Sequence, residues 1–168
     1  MEVLSFPIAL PGPAPRPSPP VSLLLAPGLL TATQDELRER SDRRREALVL
    51  WAGRPGTDRA AVISHLVIPR FISVRDHLTI PREERHLLAN WVRAEQLLIF
   101  SDLHTHPGRA FLSPADVAAP FSTRDGFYAT VIPDFALGEP LEEWRTYEAI
   151  DGRWNEVDPR RRFHEHRV

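Results

Sequence analysis

The stretch EALVLWAGRPGTDRAAVISHLVIP, residues 46–69, decides the fold. It contains two apolar runs, EALVLWAG and RAAVISHLVIP, and the segment RPGTD between them carries the proline and glycine of a turn. Apolar runs of this length that are rich in Val, Leu and Ile are typical of buried strands, and Gly53 and Pro69 are predicted to end them. The stretch therefore predicts a hairpin at the centre of a sheet.

Helices and further strands are predicted on both sides of this hairpin. Residues 31–45 form a charged helix with Thr31 or Thr33 as its cap, and residues 81–96 form an amphipathic helix that starts at a proline. The apolar face of the second helix is predicted to hold Leu87, Leu88, Trp91 and Val92. The remaining predicted elements are strands at 21–25, 97–106 and 125–133, a short helix in SPADVAAPF, and a type I′ hairpin from EEWRTYEAI through DG to RWNEV.

This order of elements predicts an α/β (α+β) fold with one mixed, curved sheet flanked by helices. A chain of 168 residues suits a single domain. We place that domain at 21–157, after a proline-rich N-terminal extension at 1–20 and before a basic, low-complexity tail at 158–168. The run PGPAPRPSPP, residues 11–20, favours an extended strap that tethers an N-terminal strand to the domain.

Composition excludes several classes of function. The chain has no cysteine and no lysine, so it lacks a thiol nucleophile, a Cys-rich zinc module and the lysine of a P-loop or a Schiff base. A formal net charge of −2 gives no basic field for nucleic acid. Prolines interrupt the apolar N-terminal segment, and no apolar run is long enough to span a membrane. We expect a cytoplasmic protein that binds neither nucleic acid nor a membrane.

A possible catalytic centre lies in SDLHTHPGRAFLSPAD, residues 101–116. Residues two apart on a strand share a face, so His104 and His106 converge, and the turn at Pro107 can bring Asp116 back toward them. Two imidazoles and a carboxylate suit a catalytic metal. The alternative is a capped helix, with Ser113 as the N-cap and Asp116 completing a capping box, and the two interpretations compete for the Asp116 carboxylate.

An acidic residue upstream favours the metal interpretation. Glu46 stands at the head of an otherwise apolar strand, and a hydrolytic zinc site needs a carboxylate that moves protons. Taken alone, Glu46 is equally compatible with an exposed helix end beside Arg43, Arg44 and Arg45.

Together these residues resemble the JAMM metalloproteases, also called MPN-plus domains. The likeness rests on a Glu at an early strand, then H-[ST]-H-P, a short loop and S-x-x-D, and it covers about residues 21–157. It implies the MPN/JAB-like, cytidine-deaminase-like fold. It also implies that one Zn²⁺ is held by His104, His106 and Asp116, that Glu46 is the general base and then acid, and that Ser113 hydrogen-bonds the oxyanion. The loop PGRAFL is one residue shorter than in the commonest eukaryotic motif, a difference that would shift Ser113 relative to the metal.

The resemblance further implies a substrate class. JAMM enzymes cleave after the C-terminus of ubiquitin or ubiquitin-like proteins, and some bacterial members accompany E1-like and E2-like proteins in antiphage operons. We therefore expect an isopeptidase acting on a ubiquitin-like protein or its conjugates, with such E1-like and E2-like proteins as partners. The alternatives are an inactive MPN-type scaffold and a zinc hydrolase of short peptides. The motif of Glu83 and His86, and that of His164 and His166, are weaker metal candidates.

Overall fold

The computed structural model describes residues 1–7, 22–41, 45–74 and 77–166, and the proline-rich run at 11–20 lies outside them. The strands are β1 (Glu2–Ser5), β2 (Ser22–Leu25), β3 (Leu48–Pro55), β4 (Ala60–Ile68), β5 (Ile72–Val74), β6 (His77–Thr79), β7 (Leu98–Thr105), β8 (Tyr128–Ile132), β9 (Arg145–Ile150), β10 (Arg153–Val157) and β11 (Phe163–Glu165). The helices are α1 (Leu29–Ser41), α2 (Arg82–Ala94), α3 (Pro114–Ala118) and α4 (Pro159–Arg162). None of these described helices has the length and apolar character needed to cross a membrane.

Nine of the described strands form one mixed sheet in the order β10-β9-β8-β7-β3-β4-β2-β11, with β1 also pairing with β4, whereas β5 and β6 form a separate antiparallel pair. Strands β3 and β4 pair antiparallel, which confirms the predicted central hairpin. Strand β7 pairs antiparallel with β3 and parallel with β8. The mixed α+β architecture in one domain agrees with the fold class expected from the sequence.

Strand β3 is buried on both faces, which explains its continuous apolar sequence. Val49 and Trp51 belong to a core cluster that includes Leu29 and Leu37 of α1, whereas Leu50 belongs to a second cluster that includes Leu88 of α2. The two helices thus cover core clusters built on alternate residues of β3. Strand β7, which carries His104, therefore pairs with a strand that is buried on both faces.

Three local predictions need correction. Strand β3 continues past Gly53 to Pro55, because the glycine allows a bulge where an added Cβ would lie 1.9 Å from the carbonyl oxygen of Val62. Helix α1 begins at Leu29, so Thr33 is an interior residue whose hydroxyl donates to Leu29 O and accepts from Trp51 Nε1. On α2, Leu87 is 50% exposed, and Glu84 is buried instead.

The segment predicted as a low-complexity C-terminal tail contains regular structure, because residues 159–165 form α4 and β11. Strand β11 pairs parallel with β2, and Phe163 is buried with its ring 5.1 Å from Trp51 and 5.8 Å from Tyr128. At the other terminus, β1 joins the sheet beside β4. Residues on both sides of the predicted domain therefore contribute strands to its sheet.

Replacing Phe163 tests the structural role of this C-terminal strand. Phe163→Ala should lower the free energy of unfolding by about 3–5 kcal/mol, because it removes a buried ring from a packed aromatic cluster. Urea denaturation measures the change. The control Ile150→Ala, at a side chain that is 43% exposed, should cost less than about 1 kcal/mol. Equal, small losses in the two variants would contradict the burial of Phe163.

Candidate metal centre

The end of strand β7 places three ionisable side chains on one face of the sheet. Asp102, His104 and His106 alternate along the chain, and all three are buried. His104 is paired with Leu48 of β3 on one side and with Val131 of β8 on the other. Just beyond the strand, His106 N donates to Ile132 O at 2.9 Å. The backbone that carries both imidazoles is thus held from two directions.

The loop after His106 returns Asp116 to the same point. Ser113 caps helix α3: Asp116 N donates to Ser113 Oγ at 3.2 Å, and Ser113 N donates to Asp116 Oδ2 at 2.8 Å. The predicted capping box is present. The same Oδ2 also lies 3.6 Å from Nε2 of His104 and 3.6 Å from Nε2 of His106. From the sequence, the cap and the metal site were expected to compete for this carboxylate. A carboxylate oxygen has more than one lone pair, so both arrangements are present together.

The three side chains have the geometry of a metal-binding triad. One ligand atom from each of His104, His106 and Asp116 lies within 4.8 Å of the others. Ligand atoms around a tetrahedral ion with bonds near 2.0–2.1 Å are separated by about 3.3 Å, close to the observed 3.6 Å. Nε2 of His104 is buried and has no hydrogen-bond partner among the described residues. An orphaned imidazole nitrogen facing a carboxylate fits a metal ligand.

The register of β3 against β7 places Glu46 beside this triad. Leu48 pairs with His104, and two residues earlier the antiparallel ladder brings Glu46 opposite His106. Ala47 secures this end of the ladder, since Thr105 N donates to Ala47 O and Ala47 N donates to Thr105 Oγ1. Glu46 Oε1 lies 4.0 Å from His106 Nε2. The structure therefore brings Glu46 close to the triad but outside it.

The charges of the site favour a bound cation. Burial alone would lower the pKa of His104, but Asp102 and Asp116 on opposite sides of the ring outweigh burial and raise the pKa to about 10. Burial alone would raise the pKa of Asp116, but the facing His104 and His106 rings and Ser113 hold it below its ordinary value. In the metal-free protein His104 is therefore protonated, and its positive charge stands where a bound cation would otherwise balance the two carboxylates.

Metal binding must displace this proton. Because the metal-free His104 is protonated well above neutral pH, binding of a divalent ion at pH 7.5 should release about one proton per site, and the release should decline as the pH approaches 10. Titration calorimetry in buffers of different ionisation enthalpy measures the number of protons. A binding enthalpy that is independent of the buffer would contradict this prediction.

The same pKa shifts set how stability depends on pH without metal. The raised pKa of His104 stabilises the folded state. This contribution is complete below pH 6.5 and is lost as the pH rises from there through about 10. The lowered pKa of Asp116 stabilises it above about pH 4, and that contribution is lost on further acidification. Both contributions are present together from roughly pH 4 to 6.5.

Two residues that contact the site were not predicted from the sequence. Asp102 Oδ1 lies 3.6 Å from Nδ1 of His104, and the alternation D-L-H-T-H was a signal that could have revealed it. Phe111 packs edge-on against His106 at 5.1 Å and is 51% exposed, so it borders the site on its open side. No strand or helix period predicted that contact, because Phe111 lies in a loop.

The weaker metal candidates of the sequence remain apart. Glu83 and His86 lie on the exposed side of α2, and His164 and His166 are exposed near β11. Among the described residues, none of these belongs to a group of three or more side chains that could hold a metal ion.

A strained turn supports the backbone after His106. Asp134, Phe135 and Ala136 all have positive φ, at 48°, 54° and 63°, in a region that costs L-residues about 1–2 kcal/mol each. Phe135 N donates to His106 O at 3.0 Å, and Asp134 N donates to Gly108 O at 3.1 Å. Side chains of α1 hold the turn from behind, since Gln34 Nε2 and Arg38 Nε both donate to Ala136 O. The turn thus connects α1 to the segment that carries His106.

Comparison with known proteins supplies the family. Over 136 residues the chain is 34% identical to "Probable metalloprotease y4jG" of Sinorhizobium fredii (strain NBRC 101917 / NGR234), an alignment that covers 76% of this chain and 82% of that protein. The chain belongs to this metalloprotease family. Within this chain, His104, His106 and Asp116 form a group that could hold the metal ion of a metalloprotease. No protein-family model matches the sequence.

A solved structure supports the fold of this metalloprotease family member. The solution structure of protein DSY2949 from Desulfitobacterium hafniense superposes with a TM-score of 0.66, covering 87% of this chain and 94% of that one. The sequence identity is 14%, so the likeness concerns the fold alone.

Proposed function

We propose that the protein is a zinc-dependent peptidase of the JAMM type that cleaves after the C-terminus of a ubiquitin-like protein. The observation that carries the proposal is Glu46: it is a mostly buried carboxylate 4.0 Å from the His-His-Asp group and outside it. Two imidazoles and one carboxylate leave an open position on a four-coordinate ion, which is the arrangement of catalytic rather than structural zinc. Zinc bound there would polarise the scissile carbonyl and lower the pKa of a water to about 7.

Glu46 supplies the proton transfer of the proposed reaction. Its carboxylate lies 4.0 Å from His106 Nε2 and is not one of the three grouped ligands. From there it accepts the proton of the attacking water and then donates it to the departing amine. The hydrogen bonds of Ala47 to Thr105 hold the backbone next to Glu46, so the carboxylate is fixed relative to the ligands.

Ser113 can stabilise the developing oxyanion while it caps α3. As a cap, its Oγ accepts the Asp116 N–H through a lone pair, which leaves the hydroxyl hydrogen available to donate. One donor aimed at the oxyanion is worth about 3–4 kcal/mol of transition-state stabilisation in comparable sites. The loop that is one residue short still brings Asp116, which Ser113 caps, to within 3.6 Å of both imidazoles.

The substrate proposal is supported by the space beside the ligands. A cavity of about 40 Å³ borders Asp102, His104 and Asp116 and is lined otherwise by Arg85 and apolar side chains, among them Leu78 of β6 and Ile80. This volume holds only a few water molecules, so it suits a residue without a bulky side chain. The glycine-ended tail of a ubiquitin-like protein meets that requirement, and the segment at 70–80 would contact it through Leu78.

The wider setting extends this proposal. A ubiquitin-like protein or its conjugates would be the substrate, and E1-like and E2-like proteins of the same operon would supply those conjugates within a bacterial antiphage system. The cytoplasm is where such a conjugation system would operate.

A cleavage assay separates this proposal from its alternatives. The zinc-loaded protein is incubated with a ubiquitin-like protein fused through its C-terminal glycine to a reporter, with the same fusion carrying Leu in place of that glycine, and with short dipeptides. We expect cleavage of the glycine fusion alone. Efficient hydrolysis of dipeptides would favour a short-peptide hydrolase. Protein that takes up no zinc and binds the fusion without cleaving it would favour an inactive MPN-type scaffold.

A further inference from the structure

We propose that Asp102 is a positioning residue of the metal centre, whose carboxylate holds the His104 ring with its proton on Nδ1 so that Nε2 faces the metal. The inference rests on the metal site of the proposed function. It concerns how that site is built, and it can be tested without any substrate.

The first support is the placement of two carboxylates on opposite sides of one ring. Asp102 Oδ1 lies 3.6 Å from Nδ1 of His104, and Asp116 Oδ2 lies 3.6 Å from Nε2. The Nε2 atom is the buried one that lacks a hydrogen-bond partner among the described residues. An imidazole can be fixed in one tautomer by a carboxylate at Nδ1, which directs the lone pair of Nε2 toward an ion.

The second support is the surroundings of Asp102. The side chain is 8% exposed and is flanked across the sheet by Leu50 of β3 and Ala129 of β8. A buried carboxylate between apolar neighbours costs free energy unless a partner compensates for the lost hydration. Within the described part of the chain, His104 is the basic side chain that forms an ion pair with Asp102. The position would suit an apolar residue if the fold alone determined it.

Two substitutions of Asp102 and one matched control test the role. Asp102→Asn keeps the size but replaces the charge with an amide that can only partly fulfil the acceptor role, and Asp102→Ala removes the acceptor. Asp58→Asn makes the same chemical change at an exposed turn residue whose φ of 54° asparagine tolerates. The dissociation constant for Zn²⁺ alone is measured by competition with a chelating dye. Histidine ¹⁵N NMR of the zinc-loaded proteins then reports how fast the Nδ1 proton of His104 exchanges with water.

We expect weaker zinc binding by about 10- to 100-fold in Asp102→Ala, a smaller loss in Asp102→Asn and none in Asp58→Asn. The NMR signals should show a slowly exchanging Nδ1 proton on His104 in the wild type and a faster-exchanging one in Asp102→Ala. A purely structural role would instead lower the unfolding free energy and leave the dissociation constant and the exchange rate of this proton unchanged. That result would overturn the inference.

The same experiment keeps the two proposals apart. If the wild type binds zinc but cleaves no fusion, the proposed function fails, and the affinities still decide the role of Asp102. If the wild type binds no zinc at all, both proposals are overturned. If Asp102→Ala does not fold, the comparison of Asp102→Asn with Asp58→Asn remains, and equal zinc affinities in that pair would contradict the positioning role.

Discussion

Glu46→Gln should lower kcat on a cleavable fusion by about 10²–10⁴-fold while one metal ion per chain is retained. The amide has almost the same shape as the carboxylate but cannot accept the proton of the attacking water. Glu46 lies beside the triad rather than within it, so its loss removes proton transfer and leaves the ligands in place. Steady-state kinetics gives kcat and KM, and elemental analysis gives the metal content.

The control for this prediction is Glu83→Gln. Glu83 is exposed in the first turn of α2, so the same chemical change there should leave kcat within about twofold of the wild type. We expect KM to be similar in all three proteins, because the carboxylate of Glu46 acts on the reacting water rather than on the body of the substrate. Normal turnover in Glu46→Gln would contradict its role as the base. Loss of the metal would show that Glu46 is instead a ligand.

The candidate site was accessible from the sequence because its spacing is local. The two-residue spacing of His104 and His106 needed only the prediction of a strand, and Asp116 needed only a turn followed by a helix start. The position of Glu46 was harder to predict, since its distance from His106 depends on the register of β3 against β7. No local period encodes that register, so the sequence offered Glu46 only as a candidate at the head of an apolar strand, and the resemblance to a known motif assigned it to the site.

The parts that could not be predicted depend on long-range packing. Strand β11 has three residues and follows a run of arginines, and only Phe163 within it is buried. Its pairing with β2 joins segments more than 130 residues apart, and no hydrophobic period in the sequence predicts that pairing. The same limit applied to Leu87, because the helical period gives the apolar face of α2 but not how far the sheet covers it.

His106→Ala should reduce the metal content from one ion per chain to almost none and abolish cleavage. His106 supplies one of the three ligand atoms, and two remaining ligands bind a transition metal far more weakly than three. The site also loses the ring that lies between Asp116 and Glu46, so two carboxylates approach each other without a basic group between them. Metal analysis after dialysis and the cleavage assay measure the two effects.

Thermal unfolding gives an independent measure of this loss. Zinc at about a thousand times its dissociation constant should stabilise the wild type by about 4 kcal/mol, which is a rise in Tm of roughly 8–16 °C for a domain of this size. The His106→Ala protein should show no such rise, and a chelator should bring the wild type down to its metal-free Tm. His86→Ala, at an exposed position on α2, should behave like the wild type in every assay. If His106→Ala kept the full zinc-dependent rise, the ion would be bound elsewhere, and the assignment of His104, His106 and Asp116 as its ligands would be wrong.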